Sequence, residues 1–360
     1  MTLGSSFINF NLYSSLFCIS LSTFISLFFN PILIKLGKKY NFFDSPSVRE
    51  IKKNNNALVN IGGVSLFVGF FSVIFFIYLL FKSNFVGIYD DIFLTIPVIS
   101  FACLIIFSTG FYDDKFPLSP FLRLVIQFSS ASIMWVMGLR IEFLDLNFLI
   151  ESYDLIELPR IISYFLTIIW IVGIINAINW LDGIDGLASG TSLLISLGML
   201  IIGFYFQNSI AILFTSSIIG SCSGFLFYNL PPARIIMGDG GSNLLGFLLA
   251  LTSIILFKEN TNLAILPFSI LIFLVPIFDM SKVILLRIKK GNSPFLPDKN
   301  HLHFQLLEKG FNEKEVLMII FLLVCISLSV SLLFLDFKLF LPFLISSIVG
   351  ILIIFLKKLF

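Results

Sequence analysis

Long apolar runs alternate along this chain with short polar stretches rich in Asp, Asn, Gly and His. A helix needs about 20 apolar residues to cross the hydrocarbon core of a bilayer. Runs of that order lie near 7–29, 61–81, 92–110, 121–138, 161–178, 190–206, 210–228, 243–257, 263–286, 316–335 and 339–356. The pattern predicts an all-α polytopic integral membrane protein of about eleven transmembrane helices, built as one domain over 1–360. The first run has neither a basic leader nor a small-residue cleavage site, so it reads as a retained span.

Composition sharpens this picture. Of 360 residues, 58% are apolar and 12% charged, against about 25% charged in soluble domains, which excludes a soluble globular enzyme. A net charge of +2 gives no reason to expect nucleic acid as a partner. Cys18, Cys103, Cys222 and Cys325 sit widely spaced in apolar runs without companion ligands, and read as apolar fillers.

Basic residues near span ends stay on the cytoplasmic side. Lys35, Lys38, Lys39, Arg49, Lys52 and Lys53 follow the first run, and Arg287, Lys289, Lys290, Lys299, Lys309 and Lys314 follow the ninth. Lys357 and Lys358 close the chain, whereas Glu142, Asp145, Glu151, Asp154 and Glu157 lie between the fourth and fifth runs. The N-terminus is therefore expected outside and the C-terminus in the cytoplasm.

That orientation puts four polar segments on the inner face: Asp113-Asp114-Lys115, Asn176 to Gly186, Gly238 to Ser242, and Pro297 to His303. Ionisable groups near the membrane are costly and usually functional, so the four segments are expected to form one site. Adjacent Asp113 and Asp114 repel each other unless a cation, a basic partner or a shared proton intervenes. Lys115 serves either as an interfacial anchor or as a phosphate contact. The Asp182–Gly186 run is not a calcium loop, because Leu193 stands where a twelve-residue loop would need an acid. Its glycines, Gly183 among them, suit a tight turn close to a ligand. Gly240 and Ser242 open a helix whose N–H groups favour phosphate, and Asp239 among such donors suits a divalent cation bridging to a pyrophosphate. Arg234 could add a phosphate contact. His301 and His303, the only histidines, lack a third ligand for zinc and suit phosphate contact or proton transfer.

With these residues in hand, the chain resembles the polyprenyl-phosphate N-acetylhexosamine-1-phosphate transferase family, of glycosyltransferase family 4 type. The resemblance rests on Asp113-Asp114, the NxxNxxDGIDGLA run from Asn176 to Ala188, the GDxGSxxLG run from Gly238 to Gly246, and the PDKxHLH run from Pro297 to His303. It implies a multi-pass enzyme of the bacterial plasma membrane, acting at the cytoplasmic face. Such an enzyme moves a sugar-1-phosphate, here N-acetylglucosamine-1-phosphate, from a UDP-sugar to polyprenyl (undecaprenyl) phosphate with release of UMP. That is the first membrane step of a cell-surface polysaccharide.

By the same resemblance, Asp239 and Asn179 would hold Mg2+, with Mn2+ as an alternative, and Asp113 would deprotonate or orient the acceptor phosphate. Asp114 would support the metal or the acceptor, and Asp182 and Asp185 would shape the nucleotide pocket. His301 and His303 would hold the diphosphate, and Asn176, Gly183, Lys115, Arg234, Gly240, Ser242 and Lys299 would bind substrate. A homodimer stays open. The chain departs from the family pattern at Phe304, where relatives carry a further His, at Ile236, where an aromatic is usual, and at Glu50, Lys52 and Val59. A phospho-N-acetylmuramoyl-pentapeptide transferase, another UDP-N-acetylhexosamine specificity, and an ion-coupled transporter are the competing readings.

Overall fold

The computed structural model describes residues 2–44, 57–81, 90–144, 156–258, 265–294, 298–333, 335 and 344–345. The described chain is mainly helical: α1 (Thr2–Lys39), α2 (Gly63–Phe81), α3 (Asp90–Asp113), α4 (Pro120–Val136), α5 (Arg160–Leu181), α6 (Leu187–Tyr205), α7 (Ser209–Asn229), α8 (Gly238–Lys258), α9 (Ile265–Ile272), α10 (Leu274–Lys289), α11 (Leu302–Glu308) and α12 (Glu313–Leu333). A short antiparallel pair, β1 (Phe143–Leu144) with β2 (Ile156–Glu157), joins α4 to α5. The protein is a multi-pass membrane protein: 7 of these helices, α1, α3, α5, α6, α7, α8 and α12, are long and apolar enough to cross a membrane. Gly63–Leu79 of α2 and Pro120–Val136 of α4 are shorter apolar stretches.

The described residues of every expected span as far as 316–335 are mainly helical, but 263–286 is broken in two at Phe273. Pro276 explains the break. It lacks an N–H and its ring opposes a carbonyl four residues back, so it sits in the first turn of a new helix and not inside a continuous one. The run at 339–356 lies outside the described residues apart from 344–345, as do Arg49, Glu50, Lys52, Lys53, Asp145, Glu151, Asp154 and Pro297.

Helix α8 is the axis of the bundle. Apart from Asp239, its span Gly238–Phe257 is buried, enclosed by α2, α3, α5, α6, α7 and α9. Small residues allow this closeness. A Cβ on Gly246 would stand 2.6 Å from the Cα of Ile175 on α5, and one on Gly110 of α3 would stand 2.5 Å from the backbone oxygen of Asp239. On the flank, α1 lies against α7 across Gly220 and Gly224, where Cβ atoms would meet the carbonyl oxygens of Ile19 and Thr23. Small residues four apart permit such helix contacts in a bilayer.

The entry to α8 is held by chain segments far apart in sequence. Phe43 bridges antiparallel to Val59, and Val59 bridges parallel to Ile235. The Ile236 N–H donates to the Val59 carbonyl at 3.0 Å, and the Gly62 and Gly63 N–H groups donate back to the carbonyls of Ile236 at 2.9 Å and Met237 at 3.0 Å. Gly238 follows with φ of +68°, a left-handed conformation open to glycine at little cost, and α8 begins there.

Candidate active site

Asp113, the last residue of α3, has a side chain only 6% exposed, and its Oδ2 pairs with Nη1 of Arg123 at 2.9 Å. The same guanidinium nitrogen stands 3.4 Å from Oδ2 of Asp239, whose side chain is 36% exposed. One cation thus lies between a buried carboxylate and an open one. Arg123 is placed by its helix start: Ser119 accepts the Leu122 N–H at 3.2 Å and Pro120 takes the first position of α4, both favoured at helix N-termini.

Asp114 turns instead to the start of α8. Its Oδ1 accepts the Asp239 N–H at 2.9 Å and Nδ2 of Asn60 at 3.0 Å, and its Oδ2 accepts the Gly240 N–H at 3.3 Å. It therefore caps α8 and fixes Asp239. Burial of the carboxyl group, reinforced by the negative charge of Asp239, holds its pKa well above the usual carboxylate range. Lys115, exposed on the same turn, rests its ammonium 4.5 Å from the ring centre of Phe42.

On α5, Asn176 and Asn179 share one face, being three residues apart. Asn179 Nδ2 donates to Asp239 Oδ1 at 3.0 Å and to Ser242 Oγ at 2.9 Å, and Ser242 Oγ in turn donates to the Gly238 carbonyl at 3.0 Å. Asn176 Nδ2 donates to Gln127 Oε1 at 2.7 Å. Arg123, Gln127, Asn176, Asn179, Trp180 and Asn243 line a polar cleft of about 40 Å³ with Pro120 and Leu124, the scale of a hydrated ion or a few waters.

The turn after α5 begins with Asp182 at the helix end. Gly183 lies directly under His303, so that a Cβ would come 2.0 Å from its Nε2. Buried Asp185 accepts the Ala233 N–H at 3.0 Å. Asn229 accepts the Gly186 N–H at 3.0 Å and donates to the Ile235 carbonyl at 2.9 Å, which ties this turn to the segment feeding α8. Arg234 is exposed on that segment.

The histidines stand at the start of α11. His301 Nδ1 is 2.7 Å from Oδ2 of Asp279, whose Oδ1 accepts the Leu302 N–H at 2.7 Å. The His301 ring meets Trp180 edge-on at 5.7 Å and stacks on His303 at 5.5 Å. Phe304, in the place of a third histidine, packs against His303 at 4.1 Å. Buried Arg287 lies 4.8 Å from the Trp180 ring centre and grips Asp298 through Nε at 2.9 Å and Nη2 at 3.1 Å. Burial would raise the Asp298 pKa, but the bonds from Arg287 and Asn300 outweigh it and bring the carboxyl down to about 2. Lys299 beside it is exposed.

The four polar segments of the sequence therefore interlock. Asp113 and Asp239 share Arg123; Asn179 and Ser242 brace Asp239; Gly183 touches His303; and Asp185, with Gly186 through Asn229, joins the segment before α8. Among the described residues, no group of three His, Cys, Asp or Glu side chains forms a ready-made metal shell. Sequence reasoning missed Arg123, Gln127, Asp279 and Arg287 as site residues. Asp279 carried a usable signal, an acid inside an apolar run, whereas Arg287 was counted only as a marker of topology.

The family model for Glycosyl transferase family 4 matches residues 96–257, which include Asp113, Asn179, Asp182 and Asp239. A probable undecaprenyl-phosphate N-acetylglucosaminyl 1-phosphate transferase of Bacillus subtilis is 34% identical over 308 residues, covering 85% of this chain and 80% of the relative. The undecaprenyl-phosphate alpha-N-acetylglucosaminyl 1-phosphate transferase of Escherichia coli is 30% identical over 89% of this chain and 83% of its own length. A decaprenyl-phosphate N-acetylglucosaminephosphotransferase of Mycobacterium leprae is 31% identical over 72% of this chain and 69% of the relative. With such identity spread over most of both chains, on a bundle whose polar ends meet at one place, the chain belongs to glycosyl transferase family 4.

Proposed function

We propose that this protein transfers N-acetylglucosamine-1-phosphate from UDP-N-acetylglucosamine to undecaprenyl phosphate, as the first membrane step of a cell-surface polysaccharide. The observation that carries the reading is Arg123 held between Asp113 and open Asp239 at the N-terminus of α8, beside a cleft lined by Asn176 and Asn179. The relatives' names specify N-acetylglucosamine, which favours this substrate over a muramoyl-pentapeptide one.

In the reaction, an oxygen of the prenyl phosphate attacks the phosphorus bonded to the sugar. The bond from that phosphorus to the bridging oxygen breaks, and the oxygen leaves with UMP. Phosphoryl transfer depends on positioning and charge neutralisation more than on covalent work by the protein. Asp113, buried and paired with Arg123, orients the acceptor phosphate, and the guanidinium faces developing negative charge. His301 contacts the diphosphate, fully buried His303 backs its ring, and the Asp182–Gly186 turn borders the nucleotide.

Magnesium usually takes one or two carboxylates and completes its shell with water and substrate phosphates. Asp239, with Asp113 and Asn179 beside it, suits that requirement better than a closed protein shell would. When bound, the ion would neutralise phosphate charge that Arg123 alone leaves in excess.

The site lies at the cytoplasmic face in this reading. Lys38 and Lys39 end α1, and Arg287 and Lys289 lie in the last turn of α10, a bias that follows the positive-inside rule. The test is to supply membranes carrying the protein with undecaprenyl phosphate and a panel of UDP-sugars, with Mg2+ or with EDTA, and to measure UMP and the lipid product. UDP-N-acetylglucosamine should give both, EDTA and Asp239→Ala should abolish both, and absence of UMP with every sugar would favour a transporter and overturn the reading.

A further inference from the structure

Helix α10 buries two residues of opposite charge on one face, Asp279 and Arg287, about two turns apart. Each clasps one end of the polar segment that leads into α11: Arg287 grips Asp298, and Asp279 grips His301 and Leu302. Asp279 is only 2% exposed, so its two oxygens meet protein donors and not water. The Leu302 N–H can only donate, which occupies Oδ1. Oδ2 faces Nδ1 of His301 at 2.7 Å, and two carboxylate oxygens bonded in this way accept at both. The proton of the ring must then sit on Nδ1. Trp180, edge-on at 5.7 Å, and His303, stacked at 5.5 Å, fix the ring plane, so Nε2 is the nitrogen left for a ligand.

We infer that Asp279 is a positioning residue for the transfer: it holds His301 with the proton on Nδ1 and so presents Nε2 to the diphosphate of the nucleotide sugar. The inference rests on the transferase reading proposed above. A bond to the Leu302 N–H alone would serve a helix start; the second oxygen, spent on the imidazole, is what sets the tautomer, as a carboxylate behind a working histidine does elsewhere.

Asp279→Asn is the discriminating change. The amide keeps the shape and one acceptor for Leu302, but turns an N–H donor toward the ring, so Nδ1 must accept and the proton moves to Nε2. The chain has 2 histidines, so histidine-selective ¹⁵N labelling of the full protein in lipid nanodiscs gives few signals, assigned with His303→Gln. At a pH where the rings are neutral, the wild type should show His301 protonated at Nδ1, Asp279→Asn should show it protonated at Nε2, and Asp279→Glu should return it to Nδ1.

In turnover, Asp279→Asn should lower kcat by about 10²-fold through misplacement, leave KM for the prenyl phosphate unchanged, and cost nothing more in a His301→Ala background. A wild-type proton on Nε2, an unchanged tautomer in Asp279→Asn, or losses that add to those of His301→Ala would overturn the inference. If Asp279→Asn does not accumulate, the wild-type and Asp279→Glu spectra still decide it. A wild type that releases no UMP would defeat the transferase reading, while the spectra would still report on Asp279.

Discussion

Replacing Gly183 with Ala tests the joint between the Asn/Asp turn and the histidines. The new methyl carbon would stand 2.0 Å from Nε2 of His303, 2.8 Å from Cε1 and 2.9 Å from Cδ2, whereas ordinary contact begins at 3.4 Å, so the ring must retreat by about 1.4 Å. It has little freedom to do so. His303 is fully buried, with Phe304 at 4.1 Å on one side and His301 at 5.5 Å on another. Overpacking of this kind costs about 1–3 kcal/mol of stability, and a displacement near 1 Å in a positioned group can cost about 10²-fold in rate. Initial rates of UMP release by purified protein should therefore fall by about that factor, with the thermal midpoint in detergent lowered by a few degrees. Adding Gly183→Ala to His303→Ala should cost little more, because the clash partner is gone. Turnover within twofold of wild type for Gly183→Ala alone would refute the placement of His303.

Two further changes probe the scaffold. A Cβ on Gly110 would meet the Asp239 carbonyl oxygen at 2.5 Å and the Gly240 Cα at 2.7 Å; both are backbone, so Gly110→Ala should force α3 from α8, cost about 1–3 kcal/mol and lower activity, and an unshifted unfolding midpoint would contradict the packing. The Asp298 carboxyl titrates near 2 in the fold against about 3.9 when unfolded, so its clasp stabilises fully above about pH 4 and fades as the pH falls toward 2. Arg287→Met should lose the share of that pH dependence that Arg287 supplies, leaving that of Asn300, and acid-unfolding curves that overlay the wild type between about pH 5 and 2 would count against it.

The helical architecture was readable from apolar run length, because a bilayer demands helices of that reach. The meeting of Asp113, Asn179 and Asp239 was foreshadowed by the ordered motifs. Partnerships across helices were not. Arg123 looked like one more basic residue beside a span, and nothing local announces that Ser119 and Pro120 aim it between two acids. Asp114 looked equivalent to Asp113, yet one residue of rotation past the end of α3 sends it to the α8 N-terminus. The break at Phe273 was foreshadowed by Pro276, which an averaged apolar run conceals. Val59, a departure from the family pattern, proves to be the middle of the Phe43–Val59–Ile235 contact.

That contact also sets a timetable for synthesis. The ribosome delivers Phe43 and Val59 well before Ile235, and α2 to α7 are made in between. Until then Val59, only 2% exposed in the finished protein, has no Ile235 to pair with, and Asp114 has no α8 to cap. That end of the bundle therefore closes only once Ile235 and the start of α8 have been made.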